Sequence, residues 1–274
     1  MPSANVTAPP RVIGIPYDAA SSFRRGAAKA PPLIREALHS PAGSLWSESG
    51  IDLGEGSRWS DAGDVMIADS PEVAIEMAIA ELIGAGHRPL ALGGDHSITY
   101  PVLRAVVAEF GPPTILHIDA HPDLYDEFEG NRLSHACPFA RIMEDRLASR
   151  IVQVGIRTMN GHQREQAERF KVEVIDMRAW ASEARPKLEG PLYISLDMDG
   201  IDPAFAPGVS HREPGGLTVR EVISLIQTAP GPIVGADLVE FNPDADVDGM
   251  TATVAGKLVK EMLARMIETE RGSP

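Results

Sequence analysis

The chain has 274 residues, 43% of them hydrophobic, enough to bury the core of one α/β domain of ordinary size, so residues 1–274 are read as a single domain. A formal charge of −14 repels phosphate backbones and argues against nucleic acid as a partner, and no apolar run reaches the ~18 residues that a membrane span needs. The lone cysteine, Cys137, excludes an intrachain disulfide; the N-terminal MPSANVTAPPRV lacks a basic stretch followed by an apolar one, so a cytoplasmic location is expected.

In chain order, strands are expected at residues 11–15, 65–67, 89–92, 114–119, 151–155, 172–176, 192–197 and 233–239. Several are apolar on both faces (ILHI, LYISL, IVGADLV), the pattern of a parallel sheet covered on both sides. Helical spacing falls between them, at residues 71–85, 101–110, 163–170, 219–227 and 251–267, with Thr218 and Thr251 as N-caps. Residues 42–60 have no clear period and read as an irregular connection. Alternation of this kind implies a three-layer α/β fold, with ligands beyond the carboxyl ends of the strands.

Four of those strand ends are unusually polar: Leu92-Gly93-Gly94-Asp95-His96-Ser97, His117-Ile118-Asp119-Ala120-His121-Pro122-Asp123, Ser195-Leu196-Asp197-Met198-Asp199-Gly200-Ile201-Asp202-Pro203 and Asp237-Leu238-Val239-Glu240. Asp119, His121 and Asp123 are two residues apart, so extended backbone turns them to one side; Asp197 and Asp199 repeat the spacing. With His96 they make four carboxylates and two imidazoles at one sheet edge. Unpaired, the carboxylates would repel strongly in a low dielectric. Divalent cations remove that cost, and two fit better than one, because carboxylates bridge metals and six side chains are too many for one open centre. Oxygen donors with some imidazole and no thiolate suit Mn(II) better than a structural zinc. Taken singly, each cluster reads equally as a turn or cap, and Asp95 and Asp202 read as groups that orient their neighbours.

At these residues the chain resembles the ureohydrolase family of arginases and agmatinases. Gly93-Gly94-Asp95-His96-Ser97, Asp119-Ala120-His121-Pro122-Asp123 and Ser195 through Pro203 carry the likeness. It extends from Ser22-Phe23-Arg24-Arg25-Gly26 through Gly155-Ile156-Arg157 to Asp237-Leu238-Val239-Glu240-Phe241-Asn242-Pro243. Asn131 through Ala136 and Phe205 through His211 are most similar to plant-type arginases. The resemblance implies an α/β/α sandwich around a mostly parallel eight-stranded sheet. It implies one manganese held by His96, Asp119, Asp123 and Asp197, and a second held by His121, Asp119, Asp197 and Asp199. By the same resemblance His135 is a proton shuttle, Glu240 holds the guanidinium, and the chain is a homo-oligomer, a trimer or hexamer.

The implied reaction is hydrolysis of a guanidino compound to urea and an amine. A guanidinium carbon is a poor electrophile and water a weak nucleophile; two metals make hydroxide available at neutral pH. Asp123 then passes a proton to the departing amine. His117 reads as a buried histidine behind the ligands, and His162 and His211 as residues of the substrate entrance. Residues 127–134 and 158–163 depart from the animal and bacterial arginase pattern, which leans the choice to agmatine, giving putrescine in polyamine biosynthesis. L-arginine to ornithine, or another guanidino acid with Arg132 serving its acid end, is the alternative. A single-metal deacetylase on the related sandwich would not need His96 and Asp199, and a non-enzymatic regulatory homologue would have lost ligands.

Overall fold

The computed structural model describes residues 7–269 apart from 55, 57 and 68; the first six residues of the N-terminal stretch lie outside it. Eight strands run β1 (Pro10–Gly14), β2 (Ser60–Asp64), β3 (Arg88–Leu92), β4 (Thr114–Ile118), β5 (Arg150–Val154), β6 (Glu173–Ile175), β7 (Leu192–Asp197) and β8 (Ile233–Val239). They form one sheet in the order β2-β1-β3-β8-β7-β4-β5-β6, every neighbouring pair parallel. Strands β3, β8, β7 and β4 are therefore its four central members, and they are the four with polar ends.

Helices α1 (Ala30–Leu38), α2 (Pro71–Gly84), α3 (Thr99–Phe110), α4 (Pro138–Glu144), α5 (Gly161–Phe170), α6 (Met177–Ala181), α7 (Val219–Thr228) and α8 (Met250–Thr269) cover both faces. On one face Ile34 of α1, Ile226 of α7 and Met262 of α8 pack on Leu116, Ile118 and Leu196. On the other, Ile79 of α2, Val106 of α3 and Phe139 of α4 pack on Ala91, Ile115 and Tyr193. Successive strand residues thus feed opposite cores, which is why these strands are apolar throughout.

Seven expected strands match to within a residue or so. The strand expected at 65–67 instead lies at β2, SDAGD, an exposed edge strand on β1. An edge strand left in water needs no apolar alternation, and only the Val65 N–H donating to Gly14 O at 2.8 Å marks the apolar end as its continuation. Helices α1, α4 and α6 were not expected. Thr218 caps α7 with Glu221 in a reciprocal capping box. Thr251 does not cap α8: the helix begins at Met250, and the Thr251 hydroxyl accepts from Gly208 N–H at 2.7 Å.

Candidate active site and metal centre

His96 stands in a short 3-10 turn after β3, capped by Asp95, whose carboxylate accepts from Ser97 N–H at 3.1 Å and Ala20 N–H at 3.0 Å. Asp95 thus ties Ala20 and Ser21 to the β3 end, the orienting role read from its position. The approach is close: a Cβ on Gly94 would lie 1.7 Å from the Tyr17 carbonyl oxygen. The His96 ring is fully buried. Its Nε2 is 3.0 Å from Ser195 Oγ, and Ser195 gives its only hydrogen to Asp237 Oδ1 at 2.7 Å. Ser195 must therefore accept from His96 Nε2–H, which leaves Nδ1 as the ring atom that can meet a proton or a metal ion. That Nδ1 has no hydrogen-bond partner, yet one carboxylate oxygen each of Asp119, Asp123 and Asp197 lies 3.2 Å away. Three carboxylates around one nitrogen call for positive charge there: burial works against a charge on His96, but Asp119, Asp123 and Asp197 outweigh it and raise its pKa well above the ordinary value, so a proton sits where a metal ion would otherwise bind.

A second focus lies beside it. His121 Nδ1 is 3.1 Å from Asp199 Oδ2 and 3.5 Å from Asp119 Oδ1, so Asp119 faces both imidazoles. Asp119, His121 and Asp199 form a group able to hold a metal ion, as do His96, His117 and Asp119. In the second group His117 is better read as an orienting residue, because both ring nitrogens are engaged. Its Nε2 lies 2.7 Å from Asp119 Oδ2, and its Nδ1 accepts from Gln153 Nε2, which also donates to Pro122 O at 2.7 Å. Without a cation the cluster gathers protons instead. Burial works against a charge on His121, but Asp199 and Asp119 outweigh it and hold the ring at about 12. Burial, then the neighbouring Asp199 and Asp119, raises the Asp197 carboxyl well above its ordinary value. All six expected ligand positions meet at these two foci.

Asp123 and Glu240 both sit in the left-handed region, at φ 49° and 62°, as non-glycine residues that carry chemistry at strand ends often do. Glu240 Oε1 accepts from His96 N–H at 3.0 Å and lies 2.9 Å from His135 Nδ1; His135 Nε2 is 2.8 Å from Ser22 Oγ. Burial alone would lower the His135 pKa, but the Glu240 charge and hydrogen bond hold it at about 9. Asp123, His135 and Glu240 line one cavity of about 170 Å³ with Ser22, Tyr125, Thr158, Gln163 and His211.

His211 is at this cavity, as expected. Its ring centroid is 5.2 Å from that of His135, and burial followed by the His135 charge lowers its pKa. His162 is displaced from it, stacked behind Tyr125 and accepting from Asp126 N–H. Arg132 does not serve the site: it pairs with Asp126 and Glu144 at 2.7 and 2.9 Å, outside the cavity. The sequence reading did not single out Gln153, and it gave no role to Ser22, Ser195 or Asp237, although all three stand in its motifs. Asp237 is one carboxylate inside an otherwise apolar strand.

A parallel α/β/α sandwich with a histidine and aspartate metal-binding cluster at its central strand ends defines a hydrolase of the ureohydrolase class. The Arginase family model matches residues 8–264. Arginase 1, mitochondrial, of Arabidopsis thaliana is 47% identical, covering 93% of this chain and 80% of that protein. Agmatinase, mitochondrial, of Gallus gallus is 36% identical, covering 92% and 79%. The solved arginase of Medicago truncatula superposes with a TM-score of 0.90 at 44% identity, covering 95% and 88%. The chain belongs to the arginase family.

Proposed function

We propose that the chain hydrolyses L-arginine to ornithine and urea with two bound manganese ions, acting through residues 1–274 as one domain. His96, Asp119, Asp123 and Asp197 would hold one ion, and His121, Asp119, Asp197 and Asp199 the other. The observation that carries the metal reading is the unpartnered His96 Nδ1 facing three carboxylate oxygens. When bound, the ions would supply Lewis acidity and a nucleophile drawn from water at neutral pH.

The remaining work falls to the chain's own side chains. Glu240 Oε1 is engaged by His135 and His96, so Oε2 is the oxygen available to pair with guanidinium N–H groups and fix the substrate's orientation. Asp123 is positioned to move a proton to the leaving amine, which would otherwise depart as an unstable anion. His135, held protonated by Glu240, supplies a further proton at the cavity wall.

The substrate proposed here is not the agmatine expected from the sequence. The 47% likeness is to a protein named as an arginase, against 36% for an agmatinase. The cavity wall also carries unpaired donors suited to an α-carboxylate, the group that agmatine, which ends in an ammonium, lacks. Gln163 uses Oε1 in the capping box of α5, and neither its amide nitrogen nor the Thr158 hydroxyl has a hydrogen-bond partner among the described residues. Side-by-side kcat/KM by urea release, with saturating manganese, tests the choice. Arginine is expected to exceed agmatine at least tenfold, or about 1.4 kcal/mol of discrimination. The reverse order would overturn the substrate, and turnover of a different guanidino acid above both would reassign it. No helix among the described residues is long and apolar enough to cross a membrane. A homo-oligomer and a cytoplasmic location complete the proposal; the mitochondrial names belong to the relatives.

A further inference from the structure

Arg157, three residues beyond Val154 at the end of β5, gives its guanidinium to main-chain carbonyls. Its Nε donates to Glu213 O at 2.8 Å, Nη1 to Gly155 O at 3.1 Å and Gly200 O at 3.3 Å, and Nη2 to Asp199 O and Glu213 O at 2.6 Å each. Ile201 O lies 3.5 Å from Nη2. Every N–H of the guanidinium goes to a main-chain carbonyl, whereas Arg132 and Arg141 on the same side of the sheet pair with carboxylates. A permanent cation is thus committed to gathering peptide carbonyls, three of them consecutive.

Those three carbonyls belong to the turn that carries Asp199. The Asp199 side chain accepts from Ala120 N–H at 3.1 Å and meets His121 Nδ1 at 3.1 Å. The same turn is pressed against the other strand end: a Cβ on Gly200 would lie 2.8 Å from Asp119 N. Asp197, by contrast, is the last residue of β7 and is registered against Val239 in the sheet. The Arg157 guanidinium makes no hydrogen bond to the segments that carry His96 and Asp123; only its main-chain N–H meets Ala120 O, at 3.0 Å, and that bond survives a change of side chain.

We infer that Arg157 is a positioning residue for one half of the metal centre: it fixes the Asp199 turn, and through it the His121–Asp199 position, while leaving the His96–Asp123 position independent. The inference rests on the dinuclear reading above. Removing the guanidinium breaks all six of these contacts, three of them to the turn, and lets the turn relax, which misaims Asp199. Loss of a group that orients a ligand typically costs about 10–100-fold in metal affinity.

The test is manganese titration of the metal-free full chain, with free manganese counted by electron paramagnetic resonance and the spin-coupled pair read from its own signal. Wild type should take two ions per chain. Arg157→Gln should keep one ion at wild-type affinity, bind the second at least about tenfold more weakly, and lose the coupled signal at limiting manganese. Arg157→Lys should fall between, since an ammonium reaches some of the carbonyls. Gly216→Ala offers a second route, because its Cβ would lie 2.7 Å from both Arg157 Nη2 and Asp202 N, and so parts the guanidinium from the Asp199 turn without removing it; the same selective loss is expected. Two ions bound as in wild type, or both weakened equally, would overturn the inference. Failure of all three variants to fold by circular dichroism would do so too, by making Arg157 a general structural residue. A wild-type ceiling of one ion would instead overturn the dinuclear reading itself.

Discussion

Replacing Glu240 by Gln keeps the shape of the side chain and removes its charge. Oε1 of the wild-type residue already accepts from His96 N–H at 3.0 Å and pairs with His135 Nδ1 at 2.9 Å. A glutamine carbonyl can keep both contacts, which forces its amide nitrogen into the place of Oε2. There a donor meets the donors of the guanidinium, and charge-assisted contacts worth roughly 1.5–3 kcal/mol each are lost. A loss of about 3 kcal/mol lowers kcat/KM roughly 100-fold. Because the Glu240 charge is what holds His135 at about 9 against its burial, the His135 pKa should also fall in the variant. Any limb of the rate profile that needs protonated His135 then moves to lower pH. The assay is urea release across pH, with elemental analysis showing that manganese content is unchanged. A variant with two manganese and kcat/KM within about threefold of wild type would refute the reasoning, since a difference that small is below 1 kcal/mol.

Asp197→Ala removes the proposed bridge and should lower both manganese occupancies, in contrast to Arg157→Gln; elemental analysis after loading and desalting checks this. Manganese affinity should rise with pH, because His121, held at about 12, and the raised Asp197 carboxyl carry protons that the metal must displace. Calorimetry in buffers of different ionisation enthalpy should therefore register proton release on binding, and no release would contradict the cluster's electrostatics. Gly94→Ala drives a methyl group against the Tyr17 carbonyl, so the Asp95–His96 turn must shift; manganese at the His96 side should weaken by at least about tenfold. A titration indistinguishable from wild type would show that the backbone accommodates it freely.

The candidate ligand positions were legible because they are local. Asp119, His121 and Asp123, like Asp197 and Asp199, repeat every second residue after an apolar strand, and that spacing is written in the chain itself. The apolar runs of β3, β4, β7 and β8 were legible for a related reason, since strands buried on both faces tolerate little else. Strand β2 escaped notice because it stays in water. What the chain could not declare is which strand ends become neighbours. The order β3-β8-β7-β4 sets His96 beside Ser195 across 99 residues, and the β4–α4 connection sets His135 beside Ser22 across 113. The first pairing orients the His96 ring, and the approach of Glu240 to His135 sets that ring's charge; no periodicity records either. Arg157 is the plainest case. Its partners are main-chain carbonyls, which every residue has, so no side-chain pattern marks them. Gln163 stands in sequence at the start of an expected helix, and only the fold makes it part of the cavity wall. Local chemistry is encoded by spacing along the chain; its orientation is set by contacts between distant segments, which exist only once the sheet has ordered its strands.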